Sequence, residues 1–179
     1  MKRIFLLPIV LFSLTAFSES KHPIYDQIIK NKPNINKKYA MELSNIIYKV
    51  HKKYKIPKEV FTAILMQESN YKLEAKGCHK GLTKRVSNNN NEMEEVKVCT
   101  DFGITQIYYK TANRFDFDID RLNTDLEYSI EAGAIVLHNF MKKYSKKDKE
   151  WYLRYNCGTR GTTKRDTCQI YKKLIERYM

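Results

Sequence analysis

Apolar positions along the chain change their period several times, and each change marks an element. From Lys37 onward, Ala40, Leu43, Ile47 and Val50 recur at steps of three and four, which gathers them on one helical face. Lys55-Ile56-Pro57 breaks that helix, and Pro57 suits the first position of the next. The second helix runs from Pro57 to about Asn70, with Val60, Phe61, Ile64 and Leu65 as its apolar stripe. Residues 71–103 lose the period. They hold Gly77, Gly81 and the run Asn88 to Asn91, which favours turns. Val96-Lys97-Val98 fits a short strand, so a β-hairpin is expected within 78–99. A third helix is predicted over Ile104 to Phe115. Thr124 followed by Glu127 forms a capping-box signal. Behind it Leu126, Ile130, Ala134, Leu137 and Met141 describe a long amphipathic helix ending near Tyr144, in which Gly133 costs stability but permits close packing. Asp148 to Tyr155 and Lys164 to Tyr178 complete the set. The pattern predicts a mainly α, single-domain protein of about five to six helices. Residues 19–36, polar and interrupted by Pro23 and Pro33, read as a loosely ordered arm ahead of a domain over 37–179.

Composition agrees with a packed core: 42% of the 179 residues are hydrophobic and 30% charged. The N-terminus has the marks of an export signal. Lys2 and Arg3 precede an almost unbroken apolar run from Ile4 to Phe17, shorter than the roughly 20 residues that span a bilayer. Ala16-Phe17-Ser18 supplies small residues where a signal peptidase reads. A signal peptide over 1–18 is therefore expected, with Ser20 as the alternative cut and an uncleaved anchor helix as the competing reading. Export places the mature chain in the periplasm or cell envelope. There the formal net charge of +13, or +11 once Lys2 and Arg3 are removed, points to an anionic envelope polymer or membrane surface rather than to nucleic acid. The competing reading is a solvated lysine surface. In an oxidising compartment the four cysteines, Cys78, Cys99, Cys157 and Cys168, suggest disulfides. Three connectivities are open, and nearest-neighbour pairing, Cys78–Cys99 and Cys157–Cys168, closes two local loops. The spacing of Cys78, His79 and Cys99 matches no zinc pattern. The four histidines show no mutual ligand spacing, so no metal or cofactor is implied.

The most informative residue is Glu68. It falls four positions after Ile64 and three after Leu65, which puts a carboxylate on the core side of the second helix, in its last turn. Burial disfavours the charged form, and the negative end of the helix dipole acts in the same direction. A carboxyl kept protonated near neutrality can act as a general acid. Its neighbours extend the signal. Glu68-Ser69-Asn70-Tyr71 resembles the Glu-Ser motif of the lytic transglycosylases with a soluble-transglycosylase, lysozyme-like domain. Gly103-Ile104-Thr105-Gln106-Ile107 resembles the Gly-Leu-Met-Gln-Ile motif of that family, with Thr105 in place of Met. Asp101 matches the Asp-x-Gly form of the small transglycosylases that accompany secretion and conjugation systems. Ala132-Gly133-Ala134 with Leu137 looks like the family's Gly-Ala helix, and Tyr155-Asn156-Cys157-Gly158 like its Tyr-Asn-x-Gly motif. Tyr171 matches the tyrosine that closes the domain. The resemblance covers about residues 40–175.

This resemblance implies a lysozyme-like fold and cleavage of the β-1,4 bond between N-acetylmuramic acid and N-acetylglucosamine in peptidoglycan, with a 1,6-anhydromuramic product. Glu68 is the expected acid and base. Ser69, Gln106, Tyr155 and Asn156 are the expected substrate contacts, and Asp101 is the candidate second carboxylate. Each contact residue also has a structural reading. Ser69 could satisfy a backbone carbonyl, Gln106 could hold the Gly103 turn, Tyr155 could pack in the core, and Asn156 could fix a turn. The expected partners are glycan strands and a secretion or conjugation apparatus, with no nucleic acid, and the expected state is a monomer. Two other readings remain open: a lysozyme-type hydrolase on the same fold, and a non-catalytic assembly factor of a secretion system.

Overall fold

The computed structural model describes residues 22–87, 93–158 and 166–179. The signal-peptide reading of residues 1–18 and the whole Asn88–Asn91 run lie outside them. Within the described residues the chain forms α1 (His22–Asn31), α2 (Lys37–Tyr54), α3 (Lys58–Ser69), β1 (Lys76–Ser87), β2 (Met93–Phe102), β3 (Ile107–Tyr108), α4 (Tyr109–Phe115), α5 (Ile119–Thr124), α6 (Leu126–Tyr144), a 3₁₀ turn (Trp151–Leu153), α7 (Arg154–Cys157) and α8 (Asp166–Tyr178). The fold is mainly α, with one antiparallel sheet of order β1-β2-β3.

The period-3.6 faces meet as the sequence predicts. Asn36 caps α2 by accepting from the Tyr39 amide at 3.1 Å, and α2 buries Ala40, Leu43, Ile47 and Val50. It ends at Lys55 in the left-handed region (φ 58°). α3 contributes Phe61, Ala63, Ile64 and Leu65 to the same core, and α6 contributes Ile130, Ala134 and Leu137. Each aliphatic side chain taken fully out of water stabilises the fold by about 1.5–3 kcal/mol. Gly133 on α6 admits close packing, since a Cβ there would stand 2.4 Å from Thr105 Cγ2.

Several expectations need correction. The stretch expected as a loose arm contains α1, which buries Ile24 and Ile28 against α2 and α3. Gln27 fastens it, donating to the carbonyls of Glu59 (3.0 Å) and Tyr178 (2.8 Å). The helix expected from Ile104 starts only at Tyr109. Gly103 takes φ 75°, where a Cβ would stand 2.2 Å from the Leu122 carbonyl oxygen, and Ile107–Tyr108 pair with β2 instead. Pro57 is the N-cap of α3 rather than its first residue. The Thr124/Glu127 capping box does not form. Thr124 ends α5 with its hydroxyl donating to Asp120, while Asp125 caps α6 through the Tyr128 amide at 3.0 Å. The helices number eight among the described residues because short ones, α4, α5 and α7, complete the framework. The hairpin expected in 78–99 is present and longer, over β1 and β2.

Candidate active site

Glu68 stands in the last turn of α3, which ends at Asn70 in the left-handed conformation (φ 54°). Tyr71 follows with φ 59° and is buried, its hydroxyl donating to the Thr62 carbonyl at 3.3 Å. Tyr39 donates to the Tyr71 carbonyl at 3.0 Å. The chain is thus turned sharply just behind the acid and held there. Ser69 is buried and its hydroxyl donates to the Leu65 carbonyl at 3.1 Å. It does not line the cleft onto which Glu68 opens.

That cleft has a volume of about 700 Å³ and is lined by Glu68, Asp101, Gln106, Tyr108, Tyr155 and Asn156, among others. Five of the six expected catalytic and contact residues therefore meet at one surface. The Tyr171 hydroxyl on α8 donates to Glu68 Oε1 at 2.7 Å. Burial pushes the Glu68 carboxyl up to about 7 from an ordinary 4.5. The Asp101 charge adds to this, and the Tyr171 hydrogen bond opposes it. Asp101 sits on the central strand β2, in register with Gly77 on β1 and Tyr108 on β3. Its Oδ2 accepts from the Thr100 hydroxyl at 2.9 Å. Gln106 takes φ 49°, and its amide nitrogen donates to the carbonyls of Ala75 and Gly103, both at 2.8 Å. That amide group ties the Gly103 turn to the residue just ahead of β1. Tyr155 donates to the Thr105 carbonyl at 2.7 Å, and burial together with the Glu68 charge raises its phenol. Thr105 is fully buried, its hydroxyl donating to the Ser129 carbonyl at 3.1 Å. Asn156 is exposed at the cleft rim.

Disulfides join Cys78 to Cys99 and Cys157 to Cys168. The first ties β1 to β2 two residues before Asp101. The second ties α7, with Tyr155 and Asn156, to α8, with Tyr171. Both therefore hold elements of the cleft. Among the described residues, no group of three or more His, Cys, Asp and Glu side chains could hold a metal ion. Again among the described residues, no helix is long and apolar enough to cross a membrane.

The cleft thus offers a near-neutral carboxyl, a phenol donating to it, a second carboxylate on an adjacent strand and tyrosine rings on its walls. Residues 45–178 match the transglycosylase SLT domain. The chain belongs to this family. Its members are lytic transglycosylases, lyases that act on peptidoglycan in the cell envelope. The match runs from α2 to the end of α8 and takes in every cleft residue named above, while α1 lies outside it. No curated protein and no solved structure gives a significant match to the chain.

The contact between Tyr171 and Glu68 was not legible in the sequence, since the two stand 103 residues apart. Tyr108, Arg114 and Arg154 also line the cleft without having been singled out. The one local signal for Tyr108 is its place directly after the Gln106-Ile107 pair.

Proposed function

We propose that the chain is a lytic transglycosylase that cleaves the β-1,4 bond between N-acetylmuramic acid and N-acetylglucosamine and leaves a 1,6-anhydromuramic end. The observation that carries this reading is the Glu68 carboxyl on the cleft wall, raised to about 7. It can be protonated at neutral pH and ionised a moment later. Glu68 donates its proton to the glycosidic oxygen as the bond to C1 breaks. The substrate's own acetamido group stabilises the positive C1. The Glu68 carboxylate, held by Tyr171, then accepts the proton of the muramic C6 hydroxyl as O6 bonds to C1. No water is consumed, and one carboxyl serves both steps. Tyr155 and Asn156 contact the sugars, Gln106 shapes the cleft floor, and Ser69 fixes the end of α3 that aims Glu68. The Asp-x-Gly form at Asp101–Gly103 supports local wall remodelling around an envelope-spanning apparatus.

Asp101 on the same cleft favours the second reading, a hydrolase in which this carboxylate places a water or forms a covalent intermediate. Mass spectrometry of peptidoglycan digested with the purified protein separates the two. Anhydro ends are expected, and reducing ends alone would establish hydrolysis. Glu68→Gln should lower cleavage by at least the factor of about 10²–10⁴ that a general acid contributes. A folded Glu68→Gln protein with near-wild-type activity would overturn both readings.

A further inference from the structure

Beside the glycan cleft lies a second pocket, of about 410 Å³, between α4 and the last turns of α6. Arg114 and Phe140 line both cavities, so they are separated by little more than one side chain. The second pocket differs in chemistry. Arg114, Lys142 and Lys143 supply three exposed cations around it, and Phe115, Phe140 and Tyr144 supply an aromatic floor. The floor holds two of the cations in place. The Arg114 guanidinium lies 5.0 Å from the centre of the Phe115 ring, and Lys143 Nζ lies 5.3 Å from that of Tyr144. Phe115 is itself stacked on Phe117. Some other cations have carboxylate partners: Lys49 pairs with Glu127, Arg121 with Asp125, and Arg154, whose guanidinium lies 4.0 Å from the centre of the Tyr144 ring, with Asp148. Among the described residues, no carboxylate pairs with Arg114, Lys142 or Lys143.

Three cations without counter-charges, over an apolar floor, suit carboxylates carried on an aliphatic chain. The three cations offer nothing particular to a neutral sugar. We propose that this pocket is a subsite for the acidic stem peptide of the glycan bound in the neighbouring cleft. The inference rests on the reading of that cleft as a peptidoglycan site. The stem leaves the strand sideways from the muramic lactyl group and carries free carboxylates among short aliphatic side chains. Three residues of it, extended, reach about 10 Å, enough to pass the Arg114 side chain that separates the two cavities. The subsite would make the enzyme favour peptide-bearing over stripped glycan.

Calorimetry with the full chain carrying Glu68→Gln, which keeps the probes intact, tests this. The probes are a soluble disaccharide–tetrapeptide muropeptide, the same compound with its carboxylates amidated, and the peptide-free disaccharide. The charged muropeptide should bind about tenfold more tightly than either of the others, the margin that two or three exposed ion pairs supply. Adding Lys142→Gln with Lys143→Gln should abolish that margin and leave the affinity for peptide-free glycan unchanged. Lys142→Arg with Lys143→Arg should keep the margin. Equal affinity for all three probes, no binding of any probe, or a margin that survives the double Gln substitution would overturn the subsite. Because the readout is binding, a margin in the Glu68→Gln chain together with no anhydro product from the wild-type chain would refute the reaction and not the subsite. Anhydro product without the margin would do the reverse.

Discussion

Whether Glu68 carries its proton decides how the cleft can act at a given pH. Burial and the Asp101 charge push its carboxyl up to about 7, and the Tyr171 hydroxyl pulls it back by hydrogen-bonding the charged form. Removing either neighbour should move the alkaline limb of the kcat/KM profile in opposite directions. Tyr171→Phe removes a bond to the carboxylate, so the limb should shift upward. Asp101→Asn removes a like charge, so it should shift downward. Profiles that stay in place in both variants would show that another group is titrating. The same shift has a consequence for stability. Between pH 4.5 and about 7 the folded protein holds a proton that the unfolded chain has released, so this contribution is complete below pH 4.5 and is lost as pH rises towards 7. Gln cannot ionise. Glu68→Gln should therefore be more stable than wild type at pH 8, by up to about 3 kcal/mol, with the gap closing near pH 4.5. Urea unfolding at the two pH values measures it. Glu68 was legible because its own helix repeats every three to four residues. Its contact with Tyr171 and its approach to Asp101 were not, because tertiary closure, and no local spacing, brings them together.

At the scale of elements, the most instructive misreading is α1. Its polar composition and two prolines masked three side chains on one face, Ile24, Gln27 and Ile28, at the helical steps of three and four. One short amphipathic turn-set among polar residues gives a weak period, and the decisive contacts, Gln27 to Glu59 and Tyr178, come from distant segments. α2, α3 and α6 were legible because each repeats its apolar step over three or more turns. The stretch from Ile104 was misread because its apolar residues suit a helix. The Gly103 turn and the pairing of Phe102 with Ile107, which prevail there, are set by neighbours. If α1 belongs to the core, Ile28→Ala should cost about 2–5 kcal/mol, as buried aliphatic truncations do. Chemical denaturation of the purified variant checks this. A loss below 0.5 kcal/mol, typical of surface substitutions, would return the segment to the status of an arm.

For the molecule as a whole, 33 Lys and Arg against 20 Asp and Glu leave a formal charge of +13. Surface pairs such as Lys49–Glu127 and Lys53–Glu131, which bridge α2 and α6, use some of the cations. They cannot remove the excess, because every acid they occupy is already counted in it. A basic enzyme acting on an anionic wall should be drawn to it over distances longer than any contact in the cleft. Exposed charges separated by more than ~8 Å are largely screened at physiological ionic strength, so this attraction should fade as salt is added. Contacts inside the cleft are hydrogen bonds and ring stacking at close range, and salt should hardly touch them. Binding to intact sacculi should therefore weaken steeply from low to high salt, while cleavage of a short peptide-free glycan by the same preparation stays nearly constant. The peptide-free substrate matters, because stem carboxylates at Arg114, Lys142 and Lys143 would bring their own salt dependence into the control. Sedimentation of bound enzyme with sacculi, alongside product formation from the soluble glycan, gives both curves. If the two fall together, the positive excess does not guide the enzyme to the wall, and the lysines serve only to keep the surface hydrated.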